Sequence, residues 1–121
     1  GMPRGKRWLY QSGLHVPMIV HVPEKLRQTA GESYRSNSTS DRLISFVDLV
    51  PTVLALAGAP IPGYLEGKPF LGTNLPDAPK FAFGFRDRMD ERIDMSRAVR
   101  SDRYLYIKNF MPFRPQGTYL T

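Results

Sequence analysis

Seven consecutive residues, Arg86-Asp87-Arg88-Met89-Asp90-Glu91-Arg92, interleave cations with carboxylates. Arg presents a planar fork of N–H donors that grips sulfate, phosphate and carboxylate. In a loop between two strands, Arg86 and Arg88 could hold an anionic group of a ligand, while Asp90 and Glu91 could hold sugar hydroxyls or an amine. The same run read as a solvated loop pairs its own charges, and each exposed pair is worth only about 0–1 kcal/mol. A second basic stretch, Arg4, Lys6 and Arg7, reads from its residues alone as a solvated tail. His15 and His21 stand six apart around an apolar run, without nearby acids to complete a metal site. Tyr104 and Tyr106 beside Lys108 offer a stacking platform for bases or, more simply, one face of a strand; no nucleic-acid fold signature accompanies them, so no nucleic-acid partner is expected. There is no Gly-rich phosphate loop and no Ser-His-Asp order. With no cysteine among 121 residues, a disulfide framework, a thiolate metal site and a cysteine nucleophile are excluded from this chain.

The elements that must carry these residues are modest. Hydrophobic residues make up 41% and charged residues 23%, a globular composition. Seventeen Lys and Arg, twelve of them Arg, oppose eleven Asp and Glu for a net charge of +6. That balance suits an anionic partner or a well-solvated surface. Leu14–Val22 is almost continuously apolar between Pro17 and Pro23 and predicts a buried strand of parallel type. Residues 31–40 predict a loop, and Arg42–Val47 an extended segment. Asp48 stands as the expected N-cap of a helix with Pro51 in its first turn and Val50, Val53, Leu54 and Ala57 on one apolar face, ended by Gly58 and Pro60. Five prolines and three glycines make 60–79 a loop. Lys80–Phe85 reads as a strand, and Met95–Phe110 as a hairpin turning at Ser101-Asp102. No apolar run is long enough for a membrane span: Leu43–Ala59 is broken by Asp48 and Pro51. The opening residues Gly1-Met2-Pro3-Arg4 show no charged-then-apolar leader pattern.

Four blocks in this order resemble the sulfatase family. Lys6-Arg7-Trp8-Leu9-Tyr10-Gln11-Ser12-Gly13-Leu14-His15-Val16-Pro17 is similar to that family's stretch of Lys, Tyr four residues on, a small residue with Gly, and Pro. Ser45–Gly58 resembles its "VDL-x-PT" block, Leu65–Phe70 the Gly-containing segment that follows, and Arg97–Arg100 with Tyr104–Ile107 a C-terminal hairpin. The run at 86–92 is similar to that of heparan N-sulfatase-like members.

The resemblance implies an α/β fold, the C-terminal part of an alkaline-phosphatase-like hydrolase that ends in an antiparallel hairpin of a smaller α+β subdomain. Residues 1–75 are then expected to end the catalytic domain and 76–121 to begin the subdomain. It implies hydrolysis of a sulfate ester or sulfamate, in which a formylglycine nucleophile and calcium act, and an anionic sulfated substrate such as a glycan. Periplasmic, secreted or lysosomal placement goes with the family. Neither the Cys-x-Pro-x-Arg nucleophile motif nor calcium ligands are in this chain, so a preceding catalytic sequence is expected to pack against it and the chain alone to be inactive. Lys6 aligns with the family's active-site lysine and becomes the candidate catalytic residue. Arg4, Lys6, Arg86, Arg88, Asp90 and Glu91 become the candidate substrate-binding residues. Two other readings remain: a related phosphate or phosphonate monoester hydrolase, and a non-catalytic module that binds sulfated glycans.

Overall fold

The computed structural model describes residues 5–88 and 93–114. The chain groups into two compact units, residues 1–18 with 81–121, and residues 19–80.

The first unit is a three-stranded antiparallel sheet ordered β1-β2-β3, with β1 at Ala82–Arg86, β2 at Ser96–Arg100 and β3 at Leu105–Asn109. Its register pairs Gly84 with Ala98 and Arg86 with Ser96, then Ala98 with Ile107. Side chains alternate between the two faces of a strand. Gly84, Arg86, Ser96 and Ala98 therefore share one face, and Phe83, Phe85 and Tyr106 project from the other, where they are exposed. Gly84 and Ala98 are small for a reason: a Cβ on Gly84 would stand 3.3 Å from a Leu9 methyl and 3.5 Å from a Leu14 methyl. The two leucines come from the segment around α1, a single helical turn at Gln11–Leu14. The hairpin expected over Met95–Phe110 is present. Its ladder is extended by the Phe110 amide donating to the Met95 carbonyl at 2.8 Å, and its turn is closed by the Ser101 amide on the Tyr104 carbonyl at 2.8 Å.

The second unit holds α2, a single turn at Arg27–Ala30, and α3 at Leu49–Leu56, joined by long loops that include the Pro-rich 60–79 stretch. Thr52 ties the loop to α3: its hydroxyl donates to the Asp48 carbonyl at 2.6 Å and accepts from the Phe70 amide at 3.1 Å. Pro51, Thr52, Phe70 and Leu71 are buried around that contact. The helix ends as expected. Gly58 has φ 67°, and the Gly58 and Ala59 amides donate back to the Ala55 and Leu54 carbonyls, which satisfies two of the last carbonyls of the helix.

Four expectations are corrected. Leu14–Val22 is not a strand: Leu14 ends α1, and 15–22 has no regular structure. Pro17 withdraws one donor, and no strand among the described residues lies beside the run to complete a ladder. Arg42–Val47 is not wholly extended, because Phe46–Asp48 forms a tight helical turn that leads into α3. Asp48 stands at the N-cap position of α3 as expected, but its backbone is already helical at φ −78° and ψ −14° and its side chain makes no cap hydrogen bond to α3. Ser45, extended at φ −110° and ψ 154°, caps the preceding turn, and the Asp48 carboxylate closes the reciprocal box by accepting the Ser45 amide at 2.9 Å. The other Asp48 oxygen accepts the Lys68 amide at 2.9 Å. The apolar stripe of α3 is also not its buried face. Val50 and Val53 are 55% and 64% exposed, whereas Pro51 and Thr52 face the interior.

Candidate functional site

Lys6 lies in a four-residue turn that the Trp8 amide closes on the Gly5 carbonyl at 3.2 Å. It is exposed, on a backbone that is anything but a loose tail. Arg7, at the third position of the turn, has φ 75°. A non-glycine residue keeps such a φ only when its surroundings enforce it. Part of the enforcement is α1, packed behind the turn through Gly13. Any Cβ at residue 13 would run into the carbonyl oxygens of Trp8 and Gly5, so only glycine permits the approach. The spacing from Lys6 to Gly13 thus has a geometric content: a lysine on a turn, and a glycine that lets the next turn of chain pack on it.

Arg86 is the last residue of β1, not part of a loop, and its side chain is only 4% exposed. Its guanidinium lies over the Trp8 ring, 4.4 Å from the ring centre, and its Nη1 is 3.0 Å from Oδ2 of Asp94, itself 11% exposed. The Nε and Nη1 of Arg86 and Oδ2 of Asp94 lack a well-aligned hydrogen bond, so the pair is held as a charge contact and the indole face supplies the second compensation. Oδ1 of Asp94 accepts the Met95 amide at 2.8 Å and the Ser96 hydroxyl at 3.3 Å, which fixes the carboxylate from the β2 side.

The neighbouring charges behave differently. Asp87 pairs with Arg97 across the strands at 2.8 Å, with both side chains roughly half exposed. Arg97 Nη1 also donates to the Ser96 carbonyl at 2.9 Å. Arg88 follows β1 and is exposed. Arg4, Asp90 and Glu91 lie outside the described residues. The candidates that the structure joins are therefore Lys6 and Arg86, linked through Trp8. Neither Trp8 nor Asp94 is singled out by the sequence patterns. The register that places Arg86 opposite Ser96 is the signal for Asp94, since it puts the carboxylate just beyond the paired end of β2. His15 is engaged with the Gln11 side chain at 3.1 Å. Among the described residues no three His, Cys, Asp or Glu side chains group as a metal site, and no helix is long and apolar enough to cross a membrane.

Residues 4–114 match the family described as N-sulphoglucosamine sulphohydrolase, C-terminal. The chain belongs to this sulfatase C-terminal family. An ulvan-active sulfatase of Formosa agariphila is 39% identical over 119 residues, which is 98% of this chain and 18% of that protein. A second ulvan-active sulfatase of the same organism is 30% identical over 113 residues, covering 88% of this chain and 21% of the relative. Arylsulfatase K of Canis lupus familiaris is 31% identical over 62 residues, 51% of this chain and 10% of its own length. The chain thus spans about a fifth of the length of the two Formosa relatives. No solved structure matches it. The Lys6 turn, the Trp8–Arg86–Asp94 cluster and the three-stranded sheet all lie inside the matched region of the sulfatase family.

Proposed function

We propose that the full-length protein containing this chain is a sulfatase that cleaves a sulfate ester or sulfamate of an anionic, sulfated polysaccharide, and that this chain supplies Lys6 to the reacting group. The observation that carries the reading is the family match over residues 4–114, which encloses a lysine presented on an enforced turn. The names of the two Formosa relatives support a sulfated polysaccharide as the substrate class. In the reaction, water and the substrate give the free hydroxyl or amine and inorganic sulfate. The Lys6 ammonium donates to a sulfate oxygen and stabilises the charge that builds as the bond to sulfur breaks. The nucleophile is proposed to come from elsewhere in the protein, since this chain has no Cys-x-Pro-x-Arg motif to carry a formylglycine. Calcium, which the resemblance implies, is proposed to be held elsewhere too, because the described residues contain no group of ligands for it. Arg88, Asp90 and Glu91 are proposed to contact parts of the substrate away from the sulfur.

The test is sulfate release by the full-length protein from a panel of sulfated polysaccharides, read by ion chromatography, beside phosphate release from phosphate monoesters. Sulfate from at least one polysaccharide is the expected outcome. Phosphate release with no sulfate release would assign the related phosphoesterase reading instead.

A further inference from the structure

We infer that Arg86 is a positioning residue: pinned by Asp94 and stacked on Trp8, it holds the turn that presents Lys6. The inference rests on the reading that Lys6 contacts the sulfate.

The turn has two supports. From behind, Gly13 lets α1 close against the Gly5 and Trp8 carbonyls. From the side, the Trp8 ring lies under the Arg86 guanidinium at 4.4 Å. Trp8 is the residue whose amide closes the turn, so whatever fixes its ring fixes the end of the turn two residues from Lys6. Arg86 can do this because it does not move freely. Its backbone is paired with Ser96 in the sheet, and its side chain is buried against a carboxylate that is itself fixed by Met95 and Ser96.

The chemistry also selects arginine. A guanidinium is flat, so it can lie on an indole face while its edge meets a carboxylate; an ammonium has no such plane. Arg7 at φ 75° adds the reason why support is needed, since a turn in that conformation relaxes when its surroundings loosen. A small displacement of a catalytic group is costly: about 1 Å of misplacement can lose about a hundredfold in rate.

The experiment uses the full-length protein with Arg86→Lys, Lys6→Ala and the double variant, each checked for folding by circular dichroism. Two readouts are taken: kcat and KM for sulfate release, and hydrogen exchange at the Trp8 amide. Arg86→Lys is expected to raise exchange at Trp8 and to lower kcat by about tenfold or more with little change in KM. In the Lys6→Ala background the same substitution is expected to cost less than about twofold, because its effect runs through Lys6. Asp94→Asn removes the charge that pins Arg86 and is expected to repeat the pattern, which keeps the test decisive if Arg86→Lys does not fold. Unchanged exchange at Trp8 would overturn the positioning role. So would equal losses of kcat with and without Lys6, or a rise in KM alone, which would make Arg86 a substrate contact. If Lys6→Ala leaves kcat intact, the Lys6 reading fails on its own, and exchange at Trp8 still decides the role of Arg86.

Discussion

A guanidinium with 4% of its side chain exposed has lost its water and must be compensated by what surrounds it. Arg86 has one carboxylate and one indole face for the purpose, and removing it strands the Asp94 charge. Arg86→Met is therefore expected to destabilise the full-length protein by about 3–5 kcal/mol in denaturant unfolding, whereas Asp87→Asn, at the half-exposed pair with Arg97, is expected to cost at most about 1 kcal/mol. Similar losses for the two would contradict the burial of the Arg86 pair. Gly13 is constrained as tightly. Gly13→Ala pushes a methyl against two carbonyl oxygens, and an unfolding loss of about 1–3 kcal/mol is expected from that overpacking. Arg88 is exposed, and its proposed task is specificity. Arg88→Ala is expected to reduce kcat/KM about 10- to 100-fold on a long polyanionic substrate and to spare a small aryl sulfate, because a charge-assisted contact remote from the sulfur serves only the longer ligand. Equal losses on both substrates would remove Arg88 from recognition. The sequence flags Arg86 and Arg88 alike for their charge. It cannot separate them, because their difference lies in where the strand stops: Arg86 ends β1 on the inner face with Gly84 and Ser96, and Arg88 lies beyond the strand.

Elements set by local chemistry are legible in the chain before any fold is known. The hairpin over Met95–Phe110, the loop over 60–79 and the helix stop at Gly58 follow from strand propensity, proline content and a left-handed glycine, all local causes. Leu14–Val22 illustrates the converse. Its apolar character is real, but a strand exists only beside a partner, and periodicity carries no information about partners. The start of α3 at Leu49 is as expected, but its capping differs for a subtler reason. Ser45 and Asp48 are both good cap residues, and choosing between them depends on whether the chain turns helical at Phe46, which the reciprocal hydrogen bonds decide. The revised assignment predicts an order of effects. Ser45→Ala is expected to cost about 1 kcal/mol as the loss of a cap. Asp48→Ala is expected to cost more, since it frees the amides of both Ser45 and Lys68. Paired unfolding curves in urea check the ranking, and a larger loss for Ser45→Ala would speak against it.

At the scale of the whole molecule, the two units leave large apolar side chains in water. Phe46, Val47, Val50 and Val53 stand exposed in the second unit, and Phe83, Phe85 and Tyr106 on the outer face of the sheet in the first. Contiguous apolar surface of this kind is unusual on a self-sufficient monomer. The Formosa relatives are about five times as long as the chain, and we propose that sequence of the complete protein covers part of this surface. The isolated 121-residue chain is accordingly expected to bind a hydrophobic dye, to aggregate on warming and to release no sulfate with or without calcium. Sulfate release by the purified chain would overturn the division of labour proposed between this chain and the rest of the protein. The central claim is that Lys6 acts on the sulfate, and steady-state sulfate release by the full-length Lys6→Ala variant tests it most directly. A loss in kcat of about 10²–10³ is expected, with an unfolding midpoint close to that of the unaltered protein; turnover within a few-fold of the unaltered enzyme would contradict the role of Lys6.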